Sequence, residues 1–178
     1  MTRRIPLTIV YTGNGKGKTT AAMGLVMRTL GHGKDCAVLQ FIKSEGLRTG
    51  ERRFAEQNGV LWENFGEGFL WNLQDEEPTR QACERGWNRA KELIMSGRYE
   101  LIVLDEFTYP LSNDYVSTGD VIGFLESLPG DLYRPHIVIT GRDAPELLMD
   151  AADMVHEIVE ITHPWRTAAV PAQACIEF

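Results

Sequence analysis

Two stretches hold residue types that could do chemistry. The first, Y-T-G-N-G-K-G-K-T-T from Tyr11 to Thr20, puts three glycines, two lysines and three threonines in ten residues, directly after the apolar run Leu7–Val10. Glycines at the end of a strand let the backbone curl until successive N–H groups point inward as an anion nest, and a following helix adds its positive N-terminal end. Gly13, Gly15 and Gly17 suit that nest, Lys18 supplies a point charge for phosphates, and the Thr19 hydroxyl is placed to ligate a divalent metal that the same phosphates hold. The common spacing is G-x-x-x-x-G-K-[ST]. Here position 12 is Thr12 and the nearest glycine is Gly13, so the loop is one residue short. The competing reading is a plain glycine-rich turn with Lys18 solvated.

The second stretch is Leu101-Ile-Val-Leu-Asp105-Glu106, an apolar run that ends in two carboxylates. Strands of a parallel sheet read as continuous hydrophobics, and acids at their carboxyl ends fall in the same crevice as a phosphate loop. The pair is therefore a candidate metal partner for Thr19. A capping role for Asp105 and a solvent-facing Glu106 are the alternatives.

The elements that must position these residues are short and alternate. Apolar, β-branched runs recur at 7–11, 37–42, 60–65, 101–104, 137–140 and 155–161. The clearest helix follows the glycine loop, with Ala22, Val26 and Leu30 on one stripe and Gly31 and Gly33 beyond it. A second begins near Glu76-Glu77-Pro78 and carries Cys83, Trp87, Ala90 and Ile94 at helical spacing. Residues 43–50 and 164–174 read as loops. The pattern predicts an α/β, three-layer P-loop NTPase-like fold: a mainly parallel central sheet of about six strands with helices on both faces, in a single domain over residues 1–178.

The rest of the sequence narrows the function class. The chain has 178 residues, 43% of them hydrophobic, and a net charge of −7, which suits a small anionic ligand held at a local positive site and argues against a nucleic-acid partner. No apolar run approaches the ~20 residues that cross a bilayer. Cys36, Cys83 and Cys175 are widely spaced, so neither a disulfide scaffold nor a zinc site is expected, and the cytoplasm is the expected compartment.

Together, T-G-N-G-K-G-K-T-T at 12–20, G-H-G-K at 31–34, V-L-Q-F-I-K at 38–43, G-F-L-W at 68–71, V-L-D-E-F-T-Y at 103–109 and I-T-G-R at 139–142 resemble the ATP:corrinoid adenosyltransferases of the BtuR/CobO type. The resemblance covers nearly the whole chain. It implies a P-loop enzyme, commonly a homodimer, that transfers the 5′-deoxyadenosyl group of ATP to the cobalt of a reduced corrinoid and releases triphosphate. It also implies Mg²⁺ or Mn²⁺, and a flavodoxin- or flavin-type electron donor.

Carried onto this chain, the resemblance assigns triphosphate contacts to Gly13, Asn14, Gly15, Lys16, Gly17, Lys18, Thr19 and Thr20, and the metal to Thr19 and Glu106, with Asp105 behind them. Arg142 is expected to reach phosphate or a corrinoid carboxamide, with a surface ion pair as the alternative. Phe69 and Trp71, two apart in an extended segment, share a face. The resemblance makes them a wall on the lower axial side of the corrinoid that keeps ligands off cobalt, and core packing is the alternative. Such a reaction breaks C5′–O5′ rather than a bond to the γ-phosphorus, which gives an altered loop a chemical reason: the grip belongs on departing triphosphate. The family's lysine before the histidine near the C-terminus is here Thr162, ahead of His163. A small P-loop kinase or NTPase, and a noncatalytic nucleotide- or corrinoid-binding module, are the alternative functions.

Overall fold

The structure, a computed structural model, describes residues 4–43, 49–66 and 76–176. The six apolar runs form one sheet. The strands β1 (Thr8–Thr12), β2 (Cys36–Phe41), β3 (Leu61–Phe65), β4 (Leu101–Asp105), β5 (His136–Thr140) and β6 (Met154–Glu157) lie side by side in the order β3-β2-β4-β5-β1-β6. Every pairing is parallel. All carboxyl ends therefore share one rim, where the loop after β1 and the acids ending β4 meet.

Strand alternation divides the core into two layers. Ala37, Leu39, Phe41, Ile102, Leu104, Ile137 and Ile139 join one cluster, while Cys36, Val38, Leu101, Val103 and Val138 join the other. The helix α1 (Lys18–Gly31) packs Ala22 and Val26 into the second cluster, with Leu30 partly buried beside it, and α2 (Gly50–Gln57) adds Ala55. On the opposite face α3 (Glu77–Met95) buries Cys83, Trp87, Ala90 and Ile94, the positions at helical spacing. Beside it lie the shorter α4 (Thr108–Ser112), α5 (Thr118–Glu126) and α6 (Glu146–Ala151). Trp87 stacks on Phe107 and meets Phe124 edge-on, both with ring centroids 5.5 Å apart, which ties these helices into one layer.

Three expectations need correction. The sixth strand covers Met154–Glu157, with all four residues exposed, rather than 155–161. It lies at the sheet's edge, and Gly15 N–H takes the carbonyl of Ile158 at 2.7 Å, so pairing with β1 gives way to contact with the glycine loop. Nor are residues 164–174 wholly loop. Pro164–Ala168 form a five-residue helix, α7, started by Pro164, whose fixed φ suits a first position, and capped by the His163 ring, which accepts the Trp165 N–H at 3.1 Å. Residue 50 likewise opens α2, capped by Thr49. Among the described residues no helix is long and apolar enough to cross a membrane.

Candidate functional site

The loop after β1 turns sharply enough to need its glycines. Gly13 and Gly17 have φ of 96° and 115°, in the region that a side chain strains. Gly17 is the cap from which α1 starts. A Cβ on Gly15 would stand 2.7 Å from the Ile158 carbonyl oxygen, so the segment after β6 presses directly on the loop. Lys18, buried at the start of α1, arches back and donates to the carbonyls of Gly13 at 2.6 Å and Gly15 at 2.8 Å. Burial lowers its pKa, outweighing the opposite pull of Glu106, Asp105 and Asp143; Arg142 adds to the lowering. Asn14 and Lys16 in the loop, and Thr20 in the first turn of α1, are exposed.

Asp105 is the buried centre of the rim. Its Oδ1 accepts the hydroxyls of Thr19 at 2.8 Å and Thr140 at 2.7 Å; its Oδ2 accepts the Gln40 amide at 2.7 Å, with the Lys43 ammonium 3.7 Å away. Each of these partners offers it a proton: two hydroxyls, an amide and an ammonium. Both oxygens are engaged by the protein itself. The carboxylate thus holds the Thr19 proton and leaves that hydroxyl's lone pairs for another ligand.

Glu106 is placed differently. Its backbone sits at φ 59°, an uncommon conformation for a side-chain-bearing residue, and its N–H is pinned to the Thr140 hydroxyl at 3.0 Å. Burial raises its pKa, and Asp105 adds to the rise, while Lys43, Lys18 and Arg142 pull it down. Arg142 itself is exposed; its carbonyl accepts the Thr108 hydroxyl at 2.6 Å, which fastens the turn after β5 to α4. Gathered at one rim are thus an anion nest, a desolvated ammonium, a hydroxyl with free lone pairs and a partly desolvated carboxylate. Among the described residues no three of His, Cys, Asp and Glu form a cage for a metal by themselves. A hydroxyl and one carboxylate suit Mg²⁺ that arrives with phosphates, the usual way this reluctantly dehydrated ion is held.

The structure brings together Gly13, Gly15, Gly17, Lys18, Thr19, Asp105 and Glu106, and it puts Arg142 within electrostatic reach of Lys18 and Glu106. Phe69 and Trp71 lie outside the described residues. Sequence reading assigned no role to Gln40 or Thr140. The signal that marks them is a polar residue near the end of an otherwise apolar strand, in V-L-Q-F and in I-V-I-T.

Residues 4–178 match the family model of ATP:corrinoid adenosyltransferase BtuR/CobO/CobP. The chain is 42% identical over 176 residues to a corrinoid adenosyltransferase of a Sinorhizobium species, covering 97% of this chain and 80% of that protein. It is 39% identical over 172 residues to the corrinoid adenosyltransferase CobA of Salmonella typhimurium, covering 97% and 85%. To the corrinoid adenosyltransferase of Escherichia coli it is 37% identical over 172 residues, with the same coverage.

Proposed function

The chain belongs to the ATP:corrinoid adenosyltransferase family, and on that premise we propose that it moves the 5′-deoxyadenosyl group of ATP onto the cobalt of a reduced corrinoid and releases triphosphate. The observation that carries this reading is the short loop with Lys18 folded over it, set against the Thr19–Asp105 pair at the same rim.

The electron count is simple. The filled axial orbital of cobalt(I) attacks C5′, the C5′–O5′ bond breaks, and its electron pair leaves on the α-phosphate oxygen, so the protein's task is to accept charge on a leaving group. Lys18 suits that task because burial already penalises its ammonium, and an arriving polyphosphate supplies counter-charge in a dry place. The nest amides of the loop hold the chain of phosphates. Thr19, its proton committed to Asp105, and Glu106 would hold Mg²⁺, which would neutralise phosphate charge as the bond breaks. Thr140 fixes Glu106 by its backbone and Asp105 by its carboxylate, so one hydroxyl sets both acids. Asn14, Lys16, Thr20 and Arg142 line the approach.

Three further parts of the reading rest on family likeness. Phe69 and Trp71 form the wall on the lower axial side of the corrinoid. A flavodoxin- or flavin-type donor supplies the electron for cobalt(I), and two copies of the chain associate. The cytoplasm is the fitting compartment, in keeping with three free thiols.

Product analysis with ATP, Mg²⁺ and chemically reduced cob(I)alamin tests the reaction: triphosphate with a light-sensitive alkylcobalamin is the expected outcome, and ADP or phosphate as sole product overturns it. Trp71→Ala tests the wall. It is expected to cripple turnover from cob(II)alamin with a protein reductant and to spare turnover from pre-reduced cob(I)alamin, because removing an axial ligand raises the potential of the metal. Equal loss of both activities rules the redox role out.

A further inference from the structure

The acid at the centre of the rim is itself held by a chain of side chains that the reaction does not touch. Trp62 Nε1 donates to Asn64 Oδ1 at 3.0 Å, Asn64 Nδ2 donates to Gln40 Oε1 at 3.1 Å, and Gln40 Nε2 donates to Asp105 Oδ2 at 2.7 Å. The register of the sheet makes this row possible: Asn64 lies opposite Gln40 on β3 and β2, and Gln40 lies opposite Asp105 on β2 and β4. All three side chains lie on the face that α1 covers, Gln40 and Asn64 one residue before the ends of their strands and Asp105 at the end of its own.

The chain runs in one direction only. An indole N–H can only donate and a carboxylate can only accept, so the two ends fix the orientation of both amides between them. Gln40 is 1% exposed and Asp105 0%, a setting in which a missing partner is costly and a satisfied chain is stiff. A second arm leaves Asn64, whose Nδ2 also approaches the Lys43 carbonyl at 3.4 Å. Lys43 follows a γ-turn in which its N–H takes the Phe41 carbonyl at 2.8 Å and Ile42 stands at φ 71°, a strained geometry for a β-branched residue. That turn aims the Lys43 ammonium at the same Oδ2 that Gln40 holds.

We propose that Gln40 and Asn64 are positioning residues of the Mg·ATP site: the one-way chain from Trp62 clamps Asp105 so that the Thr19 hydroxyl sends its proton to that acid and turns its lone pairs to the metal. The proposal rests on the nucleotide reading above. If Asp105 rotated, Oδ1 would move off Thr19, and the hydroxyl would be free to point its hydrogen where a cation must sit. The relay therefore acts on metal-dependent binding and leaves metal-free contacts to the loop amides and Lys18 alone.

Calorimetric titration of the full chain with ATP, in Mg²⁺ and in EDTA, tests this. Gln40→Met, close in volume, is expected to raise the Kd for Mg·ATP about tenfold, ~1.4 kcal/mol, with the Kd for ATP in EDTA changed less than about twofold. The same substitution in an Asp105→Asn background is expected to add little, since residues acting through one partner are not additive. Asn64→Leu, on the edge strand, is expected to repeat the pattern and serves as the readout should Gln40→Met not fold. In turnover the loss is expected in KM for Mg·ATP with KM for the corrinoid unchanged. Equal weakening with and without Mg²⁺, full additivity with Asp105→Asn, or a lowered Tm with unchanged Kd overturns the positioning role and leaves a structural one. Normal Mg·ATP binding in these variants sinks the relay alone, whereas a parent protein that binds no Mg·ATP sinks the nucleotide reading and the relay with it.

Discussion

The two rims of the sheet use the same kinds of residue to opposite ends. At the amino-terminal rim, Arg4 donates to Glu100 at 2.6 Å and lies 4.5 Å from the centroid of the Tyr133 ring, and the Tyr133 hydroxyl donates to Glu100 as well. Burial pushes the Glu100 pKa up, yet Tyr133, Arg4 and His136 together overrule it and leave the carboxyl below its ordinary value. His136 accepts the Leu7 N–H on Nδ1 at 3.0 Å, and its pKa is lowered, first by burial and then by Arg4. At the carboxyl-terminal rim the sign of the match reverses: Glu106 is raised and Lys18 lowered, both chiefly by burial. Backbone geometry follows suit. The turns leading into β2, β3 and β4 use Gly33, Gly59 and Gly97 for their positive φ, whereas the turns leaving β2 and β4 put Ile42 and Glu106 there, and the turn leaving β5 puts Asp143 there beside Gly141. One rim is settled by its own partners; the other carries strain and desolvated charge of the kind that collects where a ligand completes the structure.

The largest expected effect breaks that contrast at its functional end. Lys18→Ala is expected to lower kcat by roughly two to three orders of magnitude, the range for losing one charge-stabilising contact, ~2.7–4 kcal/mol. It should leave Tm close to that of the parent, since burial of the ammonium offsets its contacts with the Gly13 and Gly15 carbonyls. Single-turnover kinetics with pre-formed cob(I)alamin, beside a thermal melt, checks both halves. A melt lowered in proportion to activity would show that Lys18 is a structural ion after all.

Glu106→Gln sharpens the comparison, because activity and stability should move in opposite directions. The Mg²⁺ concentration for half-maximal turnover is expected to rise about tenfold with a neutral ligand in place of a charged one. In the ligand-free protein Tm is expected to increase near neutral pH. The sign follows from linkage: a carboxyl whose folded pKa is raised favours folding when protonated, below its ordinary range, and opposes it once ionised. The gain from the amide therefore shrinks as pH falls into the carboxylate range. Melts of both proteins from pH 7.5 to pH 4.5 decide it, and a gain independent of pH would place the effect in packing.

Glu100→Gln should do the reverse at the other rim: about 1–2 kcal/mol of stability lost near neutral pH, with kcat unchanged. A lowered carboxyl stabilises the fold above its ordinary pKa and ceases to as pH falls through the folded value, so the difference between parent and variant should narrow in acid. Denaturant melts across pH test this. His136→Asn is expected to have the smallest effect, below about 1 kcal/mol at pH 7.5, and to reduce the parent's loss of stability between pH 6.5 and 5. The depressed imidazole supports the fold while neutral and ceases to once protonated, when Nδ1 can no longer accept from Leu7.

Much of the architecture is legible in the sequence. Six apolar β-branched runs became six parallel strands, and the stripe Cys83, Trp87, Ala90 and Ile94 became the buried face of α3, because burial of a period is a local property of the chain. The loop with Lys18 and Thr19 was legible for the same reason, its residues being adjacent. The misjudged β6 and α7 lie at the exposed edge and tail. There little burial enforces a pattern, and a proline with a histidine cap decides the outcome.

What the sequence by itself determined, then, is the elements and the chemistry that each can carry, since both depend on neighbours along the chain. Only the tertiary structure decided that Asn64, Gln40, Asp105 and Thr140 form one hydrogen-bonded row, each contributed by a different strand. Strand order and register set that row, and both are fixed by packing between segments up to about a hundred residues apart rather than by any local signal. The same placement turned an ordinary aspartate into a saturated carboxylate beneath Thr19, and an ordinary glutamate into a desolvated one beside Lys18.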